Sequence, residues 1–142
     1  MTIAAILQGK GGEVIQVRST DSVLSAVRLL ADRRIGCVPV VDDGEVVGIF
    51  SERDLVYRVA IDGAAVLDQP VGVVMTAPAI TIDDQTPVMS GLSLMTKRRV
   101  RHLPVVVNGQ LVGLISIGDL VKYRIDRIES EAAAMRDYIQ TA

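Results

Sequence analysis

Apolar and polar residues alternate over Ile15-Gln16-Val17 and again over Ile80-Thr81-Ile82, the two-residue period of a short strand. A helical period follows each: Val23, Val27 and Leu30 in one place, Val88, Leu92 and Met95 in the other. Asp21 and Thr86 are candidate N-caps for these helices, with Pro87 in a first helical position, where a missing N–H is harmless. Arg33-Arg34 and Arg98-Arg99 close them, where positive charge suits the helix dipole. Val38-Pro39-Val40-Val41 and Leu103-Pro104-Val105-Val106 read as strands, their prolines belonging at a strand end or edge. Asp43-Gly44 and Asn108-Gly109 are hairpin turns, and Val46–Phe50 and Leu111–Ile115 are the returning strands. Ser51 and Ser116 then open new helices.

The two halves are one pattern written twice. Residues 14–56 lie over residues 79–121 at an offset of 65 without a gap, and 16 of the 43 aligned positions are identical. Two copies are too few for a solenoid, which needs about three. They suit two similar halves about a pseudo-twofold axis, each a β-α-β-β-α unit, an α/β (α+β) fold. Between them, Tyr57–Pro78 reads as a helix end, a loop near Asp62-Gly63 and a short segment Val71–Met75. After Val121 a long C-terminal helix is predicted to about Ile139. Its apolar positions Val121, Ile125, Ile128, Ala132, Met135 and Ile139 follow the 4-3 spacing of a heptad seam. The seam is short for a coiled coil, so packing back on its own domain is the competing reading.

Composition narrows the chemistry. Three Tyr, one Phe and no Trp leave little for base stacking, and a net charge of −2 gives no positive field to hold nucleic acid or an anionic membrane. No apolar run approaches the ~18 residues of a membrane span, and the N-terminal apolar stretch is too short for a secretory signal. A cytoplasmic location is expected. Cys37 and His102 are the only cysteine and histidine, so neither an internal disulfide nor a Cys/His zinc site within one chain is expected.

The chemical signal is Gly48-Ile49-Phe50-Ser51-Glu52-Arg53-Asp54, echoed by Gly113-Leu114-Ile115-Ser116-Ile117-Gly118-Asp119. A Ser followed three residues on by an Asp at a strand-to-helix junction is a capping box. The same carboxylate at a strand end can also accept both hydroxyls of a ribose, as the acidic residue of a dinucleotide fold does, beside free N–H groups at the helix start. Both readings stand. A cap leaves unexplained why Gly48 and Gly113 precede each motif at one distance.

With the doubled β-α-β-β-α order, Pro39-Val40-Val41 and Pro104-Val105-Val106, the two glycines, the two Ser-x-x-Asp motifs and the lead-in Val74-Met75-Thr76, the chain resembles the CBS-domain family, specifically a tandem CBS pair or Bateman module. The whole chain looks like the small bacterial proteins that consist of one such pair. The repeats would be 12–60 and 75–122, with a helical extension over 123–142. The resemblance implies adenine nucleotides (AMP foremost, with ATP, ADP or NAD(H)) in two clefts between the paired repeats. Ser51, Asp54, Ser116 and Asp119 would hold the ribose. Arg34, Arg99, Arg101 and His102 would meet the phosphate. Val17, Ile35, Val38, Ile82, Val100 and Leu103 would form the adenine slot.

The second repeat has Arg101 and His102 where the first has Gly36 and Cys37. The phosphate-dependent site is therefore expected at Asp119, unless the pseudo-twofold axis carries these arginines to the ligand of Asp54. The resemblance also implies a homodimer, to which the heptad seam would add contact. No residue set suits catalysis: there is no nucleophile triad, phosphate loop or metal cluster. The expected function is a non-catalytic nucleotide sensor acting on an unknown regulated protein. The alternative is a structural dimerisation protein with empty clefts. An enzyme using Cys37 as a redox thiol is the weakest reading, because a small buried cysteine is the ordinary case.

Overall fold

A computed structural model describes residues 1–141. The elements are α1 (Ile3–Lys10), α2 (Val23–Arg33), β1 (Cys37–Asp42), β2 (Glu45–Ser51), α3 (Glu52–Asp62), a 3-10 segment (Gly63–Asp68), α4 (Val71–Val74), α5 (Val88–Arg98), β3 (His102–Val107), β4 (Gln110–Ser116) and α6 (Ile117–Thr141). α2, β1 and β2 each recur 65 residues later as α5, β3 and β4.

The two hairpins are built alike. β1 pairs antiparallel with β2, and β3 with β4, each with a register shift at the same place, Val40/Val41 and Val105/Val106. Positive φ at both turn residues, Asp43 and Gly44 (50° and 81°), Asn108 and Gly109 (51° and 78°), makes these type I′ turns, whose twist matches the strands. The expected first strand of each unit shrinks to one parallel bridge, Val17 to Val40 and Ile82 to Val105. Pro39 and Pro104 sit inside β1 and β3, opposite Ile49 and Leu114, rather than at strand ends. Their carbonyls accept from Val17 N and Ile82 N at 3.1 Å. A strand residue turns its N and O to the same side. The missing N–H therefore faces this single-bridge flank, where no ladder bond requires it.

Two helix starts lie one residue later than the caps expected from sequence. Ser22, not Asp21, caps α2 by accepting from Ser25 N at 3.1 Å, while Asp21 accepts from Arg18 N in the preceding turn. Pro87, not Thr86, is the N-cap residue of α5, because its extended backbone (φ −61°, ψ 144°) puts it outside the helix. Arg34 and Arg99 end α2 and α5 in left-handed conformation.

Each half has its own core, completed by a segment from in front of the other half. Val23, Leu30, Val38 and Phe50 pack with Val66 and Val71, which precede the second repeat. Val88, Leu103, Ile115 and Leu120 pack with Ile3 and Ile6 of α1, which precedes the first. α1 was not legible from sequence: its eight residues carry only a weak apolar face. Backbone bonds repeat the exchange, Val23 N donating to Gln69 O and Val88 N to Met1 O. The halves meet where β2 and β4 touch. α6 is a single helix of 25 residues in which Leu120 alone is buried.

Candidate functional site

The strand-to-helix junctions carry both Ser-x-x-Asp motifs as formed capping boxes. Asp54 N donates to Ser51 Oγ at 3.4 Å while Ser51 N donates to Asp54 Oδ2 at 2.9 Å. Asp119 N donates to Ser116 Oγ at 3.1 Å and Ser116 N to Asp119 Oδ2 at 2.9 Å. Helical geometry thus aims both carboxylates at the junction, next to the first turn of α3 and of α6.

Lead-in segments then reach both carboxylates. Thr76 Oγ1 donates to Asp54 Oδ1 at 2.7 Å, and Thr76 forms a two-way backbone pair with Ile49. On the other side Lys10 Nζ lies 2.7 Å from Asp119 Oδ2 and 2.9 Å from the Leu114 carbonyl. Gly48 and Gly113 have their reason here. A Cβ on Gly48 would lie 2.6 Å from Met75 Sδ and 2.9 Å from Thr76 O, and one on Gly113 would meet the tip of Leu7. The glycines admit the lead-in of the opposite half.

Two clefts open beside these junctions, and each is lined crosswise. The larger, about 560 Å³, takes Ser51, Asp54, Arg53 and Tyr57 from the first half and Ala79, Ile80, Arg99, Val100, Arg101 and His102 from the second. The smaller, about 360 Å³, takes Leu114 and Ser116 from the second half and Val14, Ile15, Ile35, Gly36 and Cys37 from the first, with Leu7 and Lys10 at its side. Gly36, Cys37 and His102 border both.

The family model of the CBS domain matches residues 12–61 and 71–126. The chain belongs to the CBS-domain family. A mitochondrial CBS domain-containing protein of Arabidopsis thaliana is 31% identical over 98% of this chain and 72% of its own. The crystal structure of a CBS-domain protein from Agrobacterium tumefaciens is 43% identical, with a TM-score of 0.83 over 87% of this chain and 99% of that one. The CBS-domain pair of protein MJ0100, solved in complex with 5′-methylthioadenosine and S-adenosyl-L-methionine, is 25% identical with a TM-score of 0.77, over 87% and 98%. The doubled unit is a CBS pair, a regulatory module by family.

Within this CBS pair the structure redistributes the sequence-derived site. Arg99 and Arg101 line the cleft of Asp54 and not the smaller one, and His102 borders both, because the pseudo-twofold axis sets the residues before each Pro-Val-Val strand against the Ser-x-x-Asp motif of the other half. Ser116 lines the smaller cleft, while Asp119 is not among its lining residues and reaches it through its bond to Lys10. Arg34, at the end of α2, lines neither cleft. Of the expected adenine slot, Ile35 and Val100 line the clefts, one each. Val38 and Leu103 are fully buried in the two cores, and Val17 is buried in the first. Ile82 packs against the second core. These four point into the cores because strand side chains alternate between faces. Ile15 and Ile80, two positions before Val17 and Ile82, line the clefts instead. Lys10 and Thr76 were missed from sequence, since neither belongs to the repeated window.

Charge states follow from burial. Cys37 is 2% exposed, and burial, aided by the negative charge of Asp54, pushes its thiol up to about 12. It is a core residue, not a nucleophile. Burial lowers the His102 pKa below the usual imidazole value. The positive charges of Lys10 and Arg101 push the same way, while Asp119 and Glu52 oppose them. For Asp119, burial raises the pKa, but hydrogen bonds from Lys10 and from Ser116 N outweigh it, and the net shift is downward. Among the described residues no cluster of three or more acidic, Cys or His side chains could hold a metal ion, and no helix is long and apolar enough to cross a membrane.

Proposed function

We propose that this CBS pair senses an adenine nucleotide, AMP foremost, in the cleft of Asp54. One observation carries the reading: a carboxylate at a helix start faces two arginines and a histidine of the other half across about 560 Å³. That is room enough for a mononucleotide, since ligand pockets run from about 300 to 1,000 Å³. Asp54, with Ser51, accepts the ribose hydroxyls. Arg101 and Arg99, with His102, bind the phosphate, for which a guanidinium has a bidentate fork. Ala79, Ile80 and Val100 flank the base. The 5′-methylthioadenosine and S-adenosyl-L-methionine of the MJ0100 pair support an adenosine class of ligand.

Ser116 and Ile35 line the second, weaker site, whose carboxylate is Asp119, bonded to the lining Lys10. It lacks arginines, and Lys10 already occupies its carboxylate. Longer phosphate chains, as in ADP, ATP or NADH, extend from the same ribose. The module performs no chemistry of its own. It changes the association or shape of a regulated protein, in a compartment that holds adenine nucleotides, as the cytoplasm does.

Calorimetric titration of AMP, adenosine and 2′-deoxy-AMP tests this. AMP binds tighter than either analogue, Arg101→Ala abolishes the advantage over adenosine, and Asp54→Ala abolishes the advantage over the deoxy form. Equal affinity for AMP and adenosine overturns the phosphate assignment. No binding of any of the three returns the chain to a structural dimerisation protein.

A further inference from the structure

α6 is long for what it covers. Leu120 is buried and Tyr123 packs on the second core, but from residue 124 to 141 every residue except Ala132 is exposed. At about 100° per residue, the heptad seam lies roughly a third of a turn away from the Leu120–Tyr123 face. Val121, Ile125, Ile128, Met135 and Ile139 on it are 44–66% exposed. A lone amphipathic helix of this length is marginal in water without a partner for its apolar stripe.

The charges beside the seam identify the partner. Arg124 and Glu131 flank one side, Glu129 and Arg136 the other. In a parallel in-register pair, each flanking residue meets the residue five positions on in the other helix. Arg124 then meets Glu129 and Glu131 meets Arg136, and the twofold axis doubles both pairs. Each of the six seam residues meets its own copy. The antiparallel register that covers the full seam sets Glu129 against Glu129, Glu131 against Glu131 and Lys122 against Arg136. Antiparallel registers that bring opposite charges together leave part of the seam in water.

We propose that α6 is a dimerisation helix that pairs, parallel and in register, with α6 of a second copy of this chain. The pairing is isologous and closes after two copies, and it stands whether or not a nucleotide binds.

Analytical ultracentrifugation of the full chain and oxidation of variants that each add one exposed cysteine to the buried Cys37 test it. Val121→Cys and Ile139→Cys sit at opposite ends of the seam, and each links to its own copy under mild oxidation. Arg124→Glu raises the dimer dissociation constant about tenfold, and adding Glu129→Arg restores it. In the antiparallel register shifted by one heptad, Arg124 faces Glu131 and Glu129 faces Lys122, so the second exchange weakens association further there. Overturning results are a monomeric wild type, no self-linkage of either cysteine variant, a bond formed only between mixed Val121→Cys and Ile139→Cys chains, or a double exchange no tighter than Arg124→Glu alone.

Discussion

Lys10, ahead of the first repeat, and Asp119 of the second form an ion pair at 2.7 Å, and the equivalent carboxylate, Asp54, has a neutral Thr76 hydroxyl at the same distance instead. Lys10 Nζ also takes the Leu114 carbonyl, whose counterpart Ile49 is bonded by the backbone N–H of Thr76. One side chain thus does for the second cleft what backbone and hydroxyl together do for the first. The two clefts of a nearly symmetric fold are made unequal by a residue outside the repeat.

Replacing Lys10 should therefore change the second cleft and spare the first. Lys10→Met leaves Asp119 Oδ2 with the Ser116 N–H alone, so AMP titration should pass from one binding event per chain to two. The pair is partly solvated, the side chains being 40% and 24% exposed. Its loss should lower stability by no more than about 1 kcal/mol. Unchanged stoichiometry would show that Lys10 does not hold the second site closed.

The glycines before the motifs should differ as well. Gly48→Ala drives a Cβ against the Thr76 carbonyl, which is backbone held by its pairing with Ile49. Gly113→Ala meets only the movable tip of Leu7. Overpacking against an element that cannot yield costs about 1–3 kcal/mol, so urea melts should place Gly48→Ala well below Gly113→Ala. Adding Leu7→Ala to Gly113→Ala should recover part of the milder loss, if any. Equal destabilisation by the two glycine changes would contradict this account.

The doubled β-α-β-β-α unit was legible because hydrophobic period, hairpin turns and Ser-x-x-Asp all recur at one offset, and local signals of this kind are carried by neighbouring residues. Both hairpins and the length of α6 were readable in this way. The crosswise lining of the clefts was not. It depends on how two halves dock, and no residue in either repeat records which half faces its neighbour. Lys10 was invisible for the same reason: it lies 109 residues from its partner. Val38 and Leu103 failed as slot residues because in a strand with apolar side chains on both faces, sequence alternation cannot tell core from cleft.

His102 gives a pH signature. Burial first, then Lys10 and Arg101, hold its folded pKa below the unfolded value of 6.5. Between the two values the unfolded chain binds more protons, so stability rises with pH there. Stability should fall as pH drops through 6.5 and level off once the folded pKa is passed. As the only histidine, it has no competitor of its kind. His102→Gln should flatten that step in chemical denaturation at pH 5 to 7.5. A step that persists in the variant would assign it to another group.

The two motif carboxylates separate capping from binding. In both boxes the Asp accepts the Ser N–H, and the Ser Oγ accepts from the Asp N–H. Asp54→Ala and Asp119→Ala should each lower stability by about 0.5–2 kcal/mol. Asp119 stabilises the fold further, because its burial is outweighed by the hydrogen bonds from Lys10 and Ser116, which hold its folded pKa below the unfolded 3.8. Its contribution is full above 3.8 and is lost as pH falls through the lower folded value, so the excess penalty of Asp119→Ala should disappear in acid. Binding should divide the other way. At Asp54 the lost bonds are charge-assisted, worth about 1.5–3 kcal/mol, or roughly a 10- to 150-fold loss of AMP affinity. Asp119→Ala should change that affinity little while Lys10 is present. If Asp119→Ala weakens AMP binding more than Asp54→Ala, the ligand sits in the smaller cleft and Lys10 belongs among its phosphate contacts.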